Sequence, residues 1–403
     1  MSLENAKELN ECLCCGSTHL IKTLDLGQQP MANSFLETEE ENELTFPLVL
    51  NRCEECYHLQ LSHAVNPDLL FKNYLYVSGT SQTLRDYFDW FARETLTYNP
   101  DAKSVLDIAC NDGSQLNSFK ALGLKTYGVD PATNLHEISS REHEVICDYF
   151  TQEHVAHYMN RVDIITAQNV FAHNDYPLDF LRQCRAIMHD KSVLFIQTSQ
   201  ADMVRNNEFD TIYHEHLSFF CANSMNELAR RAGLHLIDIR KTPIHGNSYV
   251  FVFSKQPGDS SKVDAFLQEE RDAGLNTPET YVEYARKAQQ AVADLKEAIV
   301  AYRAEGFVIA GYGAAAKGMT LLNFGNIALD FIIDDNPMKQ GKFSPGMRIP
   351  VVSIDMLDEC NDLNVAFVPL AWNFFDEIKR KIKTKRDNAD DVFIRYFPTI
   401  KVE

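Results

Sequence analysis

Ser104-Val-Leu-Asp-Ile-Ala-Cys-Asn-Asp-Gly-Ser114 decides how the rest of the chain is read. A buried-type apolar run breaks into a turn of small and polar residues, and Gln115 to Leu122 then continue with helical spacing. A second strand, Lys125 to Val129, closes on Asp130, and the apolar runs Asp163–Ala167 and Ser192–Gln197 carry the alternation onward. Strands and helices taking turns imply a doubly wound α/β sheet. Ligands of such sheets bind beyond the carboxyl ends of the strands, so Asp107, the turn to Gly113, and Asp130 belong to one crevice.

Working outward, 403 residues exceed the roughly 250–300 that a single core supports, so more than one domain is expected. A composition of 45% hydrophobic and 24% charged residues is that of a folded protein, not a disordered one. The formal charge of −19 disfavours nucleic acid and anionic lipid as partners, because binding to either needs clustered Lys and Arg. No apolar run reaches the length of a membrane span and the first residues lack a signal-peptide pattern, so a cytoplasmic location is expected.

Cys12-Leu-Cys-Cys15 and Cys53-Glu-Glu-Cys56 form two C-x2-C knuckles. Cys12, Cys15, Cys53 and Cys56 together can close a tetrahedral zinc site, leaving Cys14 spare. Four thiolates leave no open position for water, so this zinc is expected to be structural, stabilising a small domain over residues 1–70.

The turn Asp107-Ile-Ala-Cys-Asn-Asp-Gly113 has one glycine where a pyrophosphate approach wants three, and its acids repel phosphate. They suit a cationic ligand, with Asp130 placed for both ribose hydroxyls of an adenosine. The turn resembles the first motif of class I SAM-dependent methyltransferases, with Ala109 in place of the first glycine. The resemblance implies S-adenosylmethionine as cofactor, held by Asp107, Asn111, Gly113 and Asp130, with Asp148 near the adenine amine and Asn169 near the donor methionine.

Tyr213-His-Glu-His216 sets titratable groups side by side against apolar residues. His214 and His216 are two apart, so they do not form a zinc-binding helix face, whereas a neutral His beside a carboxylate suits proton abstraction. With the cysteine head and the tail Gly311-Tyr-Gly-Ala-Ala-Ala-Lys317, the whole chain resembles the sugar C-3 methyltransferases that act on nucleotide-linked 4-keto-6-deoxysugars. That resemblance implies His216 as the base that removes the C-3 proton, Glu215 and Tyr213 as its neighbours, and His173 and Tyr76 (or Tyr74) as groups that orient the keto oxygen. It also implies a small N-terminal zinc domain, a class I (Rossmann-like) methyltransferase domain over 71–255, a helical connector over 256–305, and a C-terminal Rossmann-like α/β domain over 306–403.

Gly311-x-Gly-x-x-Ala316, with Asp334 closing the next strand, formally satisfies the dinucleotide fingerprint, so an NAD-dependent oxidoreductase or epimerase acting on a sugar nucleotide is the rival reading. A third is a metal-stabilised binding module without catalysis. By the family resemblance this domain instead helps anchor the nucleotide diphosphate, of TDP or GDP type. Gly311, Gly313 and Ala316 would shape the turn, and Lys317 with the amides of Ala314 to Ala316 would meet the phosphates. His245-Gly-Asn-Ser248 reads as a polar turn. The clip and the connector helices leave a monomer feasible.

Overall fold

The computed structural model describes residues 5–71, 77–80, 82–199, 202–244 and 247–403. Contacts divide the chain into two units: Met1–Ile21, Asn51–Asp202 and Glu215–Asn276 make the first, and Lys22–Leu50, Met203–His214 and Thr277–Glu403 the second. This division differs from the contiguous order expected. The hairpin segment 22–50 belongs with the second unit, where Leu36 bridges to Phe343, Glu37 pairs with Lys342 and Glu43 with Arg348. The expected connector is two helices shared between the units, Ser261–Asp272 in the first and Pro278–Ala304 in the second.

In the first unit, seven strands form the main sheet: β1 Ser104–Ile108, β2 Lys125–Val129, β3 Glu144–Ile146, β4 Val162–Gln168, β5 Met188–Thr198, β6 His235–Thr242 and β7 Ser248–Ser254. Their order across the sheet is β3-β2-β1-β4-β5-β7-β6, with β7 antiparallel to both neighbours and β3 to β5 parallel. The winding reverses between β1 and β4, and at that switch point the strand ends leave a crevice. Neighbouring residues along each central strand serve opposite faces of the sheet. Val105, Ile164, Phe195 and Val250 pack on one side with Leu84, Phe88 and Phe91 of helix α1 (Gln82–Thr95). Leu106, Ile165, Ile196 and Phe251 pack on the other with Leu181 and Leu228. Both faces are therefore apolar, which is why these strands read as unbroken hydrophobic runs. Helix α2 (Ser114–Ala121) follows β1 directly.

The second unit carries a six-stranded sheet. Its first strands are β8 Val308–Tyr312, β9 Phe331–Ile333 and β10 Val351–Val352, followed by β11 Val365–Pro369, β12 Val392–Arg395 and β13 Lys401–Val402. The order is β10-β9-β8-β11-β12-β13, parallel except for β13, again with a switch point beside the first strand. Among the described residues, no helix is long and apolar enough to cross a membrane.

Candidate active site

The turn after β1 is held by backbone conformations that side chains disfavour. Ala109 (φ 63°), Asn111 (φ 51°) and Gly113 (φ 81°) are all left-handed, and Gly113 then caps α2. Only glycine adopts this region freely, so Ala109 keeps the shape of the glycine it replaces at a cost of about 1 kcal/mol. Asp130 at the end of β2 ties the turn down, its two oxygens accepting from Asn111 N and Ala132 N, each at 2.8 Å. Gly128 makes room for this arrangement, since a Cβ there would stand 2.6 Å from Cys110 Sγ.

Beyond the turn lies a cavity of about 330 Å³. Of the expected cofactor residues, Asp107, Asn111, Asp130, Asp148 and Asn169 line it, whereas Gly113 shapes the turn without reaching the wall. Asp107 is buried and accepts from Thr166 Oγ1 at 2.6 Å. Burial outweighs that bond and pushes its carboxyl up to about 7. Burial likewise raises Asp130 and Asp175, which also lines the cavity. Asn169 (φ 54°) holds its buried Oδ1 without a hydrogen-bond partner among the described residues. Among the described residues, no Lys or Arg lines the wall. Acids awaiting a counter-charge and an orphaned carbonyl oxygen fit a ligand bearing a sulfonium and an ammonium. The sequence reading missed Gln168, Tyr149, Phe71 and Asp175 on this wall. Tyr149 and Gln168 directly adjoin the predicted Asp148 and Asn169, and that adjacency was the available signal.

At one edge of the cavity stands His173, at the end of a short turn of helix, Phe171–His173, that follows β4. Its Nδ1 lies 2.5 Å from Glu215 O, which can only accept, so Nδ1 carries the proton. Burial lowers its pKa, against the backbone carbonyls of Glu215 and Asn169, which raise it. His173 thus stands at the cavity edge with its ring held by backbone carbonyls. The buried His216 ring stacks on it with centroids 5.2 Å apart and is not among the residues that line the cavity. Leu217 N donates to Ala172 O at 2.8 Å, and Ser218–Phe219 pairs with Leu59–Leu61, so backbone fixes both sides of the pair. The expected string is divided, Tyr213 and His214 belonging to the second unit, Glu215 and His216 to the first. Tyr74, Tyr76 and His245 lie outside the described residues.

The four knuckle cysteines converge as expected. Their Sγ atoms all lie within 4.8 Å of one another, with Cys12–Cys56 and Cys15–Cys53 at 3.5 Å. Zn–S bonds of about 2.3 Å would set tetrahedral sulfurs roughly 3.8 Å apart, so the donor set fits zinc. Gln60 clamps the first knuckle through Leu13 N and Glu11 O. Helix Ala222–Ala232 grips both knuckles, Arg231 bonding Cys14 O and Asn223 bonding Cys56 O.

The second glycine turn lies in the second unit. Gly311 is packed, since a Cβ there would meet Leu329, Ile332 and Leu370, and Gly313 (φ 86°) supplies the turn before the helix that starts at Ala316. Of the amides expected to meet phosphate, Ala314 N donates to Asp334 at 2.6 Å and Ala315 N to Gly313 O at 2.8 Å. Lys317 Nζ lies 3.9 Å from buried Glu208 and 4.9 Å from the Trp372 ring centre, so its charge is already partly balanced.

Three family models match the sequence: a zinc binding domain over residues 12–71, a methyltransferase domain over 80–239, and a C-methyltransferase C-terminal domain over 243–398. The chain is 31% identical over 390 residues to the C-methyltransferase NovU of Streptomyces niveus, covering 92% of both chains. A ubiquinone biosynthesis O-methyltransferase of Histophilus somni is 28% identical over 106 residues, 24% of this chain and 44% of that protein. Among solved structures, the PH0226 protein of Pyrococcus horikoshii OT3 aligns with 45% of this chain and 95% of its own, at 16% identity and a TM-score of 0.36.

Proposed function

The chain belongs to the C-methyltransferase family that includes NovU, and on that premise we propose that it methylates C-3 of a nucleotide-diphosphate-linked 4-keto-6-deoxysugar, in biosynthesis of a branched deoxysugar. It is a SAM-dependent C-methyltransferase with a zinc-binding head. When bound, S-adenosylmethionine supplies an electrophilic methyl group.

A carbon next to a ketone loses its proton only when a base is at hand and the enolate oxygen is stabilised. His216 takes the C-3 proton, with Glu215 and Tyr213 as its neighbours. The enolate carbon would then take the methyl group from the opposite face, with inversion at C-3, the S–CH3 bond breaking as the C–C bond forms and S-adenosylhomocysteine leaving with the electron pair on sulfur. His173 and Tyr76 orient the keto oxygen. Asp107, Asp130, Asp148 and Asn169 seat the donor, and Gly311, Gly313, Ala316 and Lys317 help bind the sugar nucleotide, of TDP or GDP type.

What supports the reading is that His216 stacks on His173, which lines the acidic cavity. The test is incubation in D2O with a TDP- or GDP-linked 4-keto-6-deoxysugar and S-adenosylhomocysteine, followed by mass spectrometry and NMR of the sugar, then repetition with S-adenosylmethionine. Deuterium and methyl both entering at C-3 is the expected result. Exchange at C-5, the other carbon beside the C-4 ketone, would move the site of methylation, and no exchange would remove the substrate class.

A further inference from the structure

The segment Val77–Thr80 crosses the turn after β1 and is fastened to it. Ser78 N donates to Asn111 Oδ1 at 3.0 Å, and Gly79 N donates to Asp112 Oδ2 at 2.9 Å. The other oxygen of Asp112 accepts from Ser114 N at 3.1 Å, at the start of α2. Gly79 has no room for a side chain, because a Cβ there would overlap Ser114 Oγ and stand 2.5 Å from Asp112 Oδ2. From the first turn of α1 the Arg85 guanidinium holds Gly79 O.

These contacts separate two neighbours in the turn. Asn111 and Ser78 line the cavity, whereas Asp112 does not. Both Asp112 oxygens bind backbone N–H groups, one in the strap and one in the helix cap, so any effect it has on the reaction is transmitted through the strap.

We infer that Asp112 is a positioning residue for the acceptor: it fastens the Ser78–Gly79 strap to the donor turn and so sets the wall against which the sugar lies. The inference rests on the substrate reading above for its acceptor, but the fastening itself can be read without any sugar. Asparagine has the size of aspartate and only one accepting oxygen, so Asp112→Asn cannot satisfy both Gly79 N and Ser114 N. Gly79→Ala attacks the same contact from the strap and leaves the turn intact.

The experiment compares wild type, Asp112→Asn and Gly79→Ala in the full chain by amide hydrogen exchange at Ser78 and Gly79, S-adenosylhomocysteine titration, and steady-state kinetics with the accepted sugar nucleotide. In both variants we expect exchange at the two amides to rise about tenfold or more and the acceptor KM to rise by a similar factor, with the S-adenosylhomocysteine Kd within about twofold of wild type. Unchanged exchange overturns the inference, and so does a weakened S-adenosylhomocysteine Kd with an unchanged acceptor KM, which would make Asp112 a donor ligand. If the wild type methylates no such sugar, the substrate reading falls while exchange and S-adenosylhomocysteine affinity still decide the strap.

Discussion

His173 and His216 stack ring on ring, 25° from parallel, yet only His173 reaches the cavity wall. A neutral ring against His216 favours the imidazolium that forms when His216 takes a proton, because an aromatic face attracts a cation. Replacement of His216 by Asn is expected to lower methyl transfer by roughly 10²–10⁴-fold and to abolish deuterium exchange into the sugar. S-adenosylhomocysteine affinity should hold, since His216 does not touch the cavity. Full activity in this variant would pass the role of base to His173.

Asp107 gives a prediction about pH. Its carboxyl titrates at about 7 in the fold against about 3.9 in the unfolded chain. The folded state therefore holds a proton that the unfolded state has released, and the buried carboxyl costs increasing stability as pH rises from about 4 to about 7, after which the cost is constant. Asp107→Asn should raise the melting temperature of ligand-free protein by roughly 2–5 °C at pH 8 and by much less at pH 5. The same change should weaken S-adenosylmethionine binding, because the counter-charge is gone. Equal shifts at both pH values would contradict a raised Asp107.

At Ala109 the left-handed backbone carries a Cβ that nothing in the turn requires. Ala109→Gly relieves about 1 kcal/mol, and a gain of about 1–2 °C in melting temperature with unchanged turnover is expected. A loss of stability would mean that the methyl group packs usefully.

Metal analysis should find one zinc ion for each chain. Cys56→Ser, or chelation under mild heating, should remove it and lower the melting temperature by roughly 5 °C or more, since a site without metal loses its binding energy from folding. The mid-chain helix that grips the clip should lose protection in the same step, because Asn223 and Arg231 bond knuckle carbonyls. Retention of a full complement of zinc after the substitution would remove Cys56 from the ligand set.

Both glycine turns, the strands before them and the acids after them were legible because a strand, a turn and a helix cap are written in consecutive residues. The clip was legible for the same reason, since each knuckle is local and only the pairing of the two is distant. What escaped was long-range. Nothing near Lys317 in sequence announces that Glu208 and Trp372 partly balance its charge, and nothing near Phe71 or Asp175 places them on the cavity wall. The assignment of the hairpin segment 22–50 to the second unit was hidden too, because it depends on Phe343, Lys342 and Arg348, some three hundred positions away. The tautomer of His173 needed the carbonyl of Glu215, which only folding brings near.

Asp130 takes Asn111 N and Ala132 N; Asp334 takes Ala314 N and Asn336 N. In each sheet the same carboxylate closes the first loop upon itself, whatever occupies the crevice above. Selection for correct folding alone would then preserve the fingerprint, so a unit of this kind can exchange one ligand for another, or cease to bind any, while its sequence signature survives as a fossil of assembly.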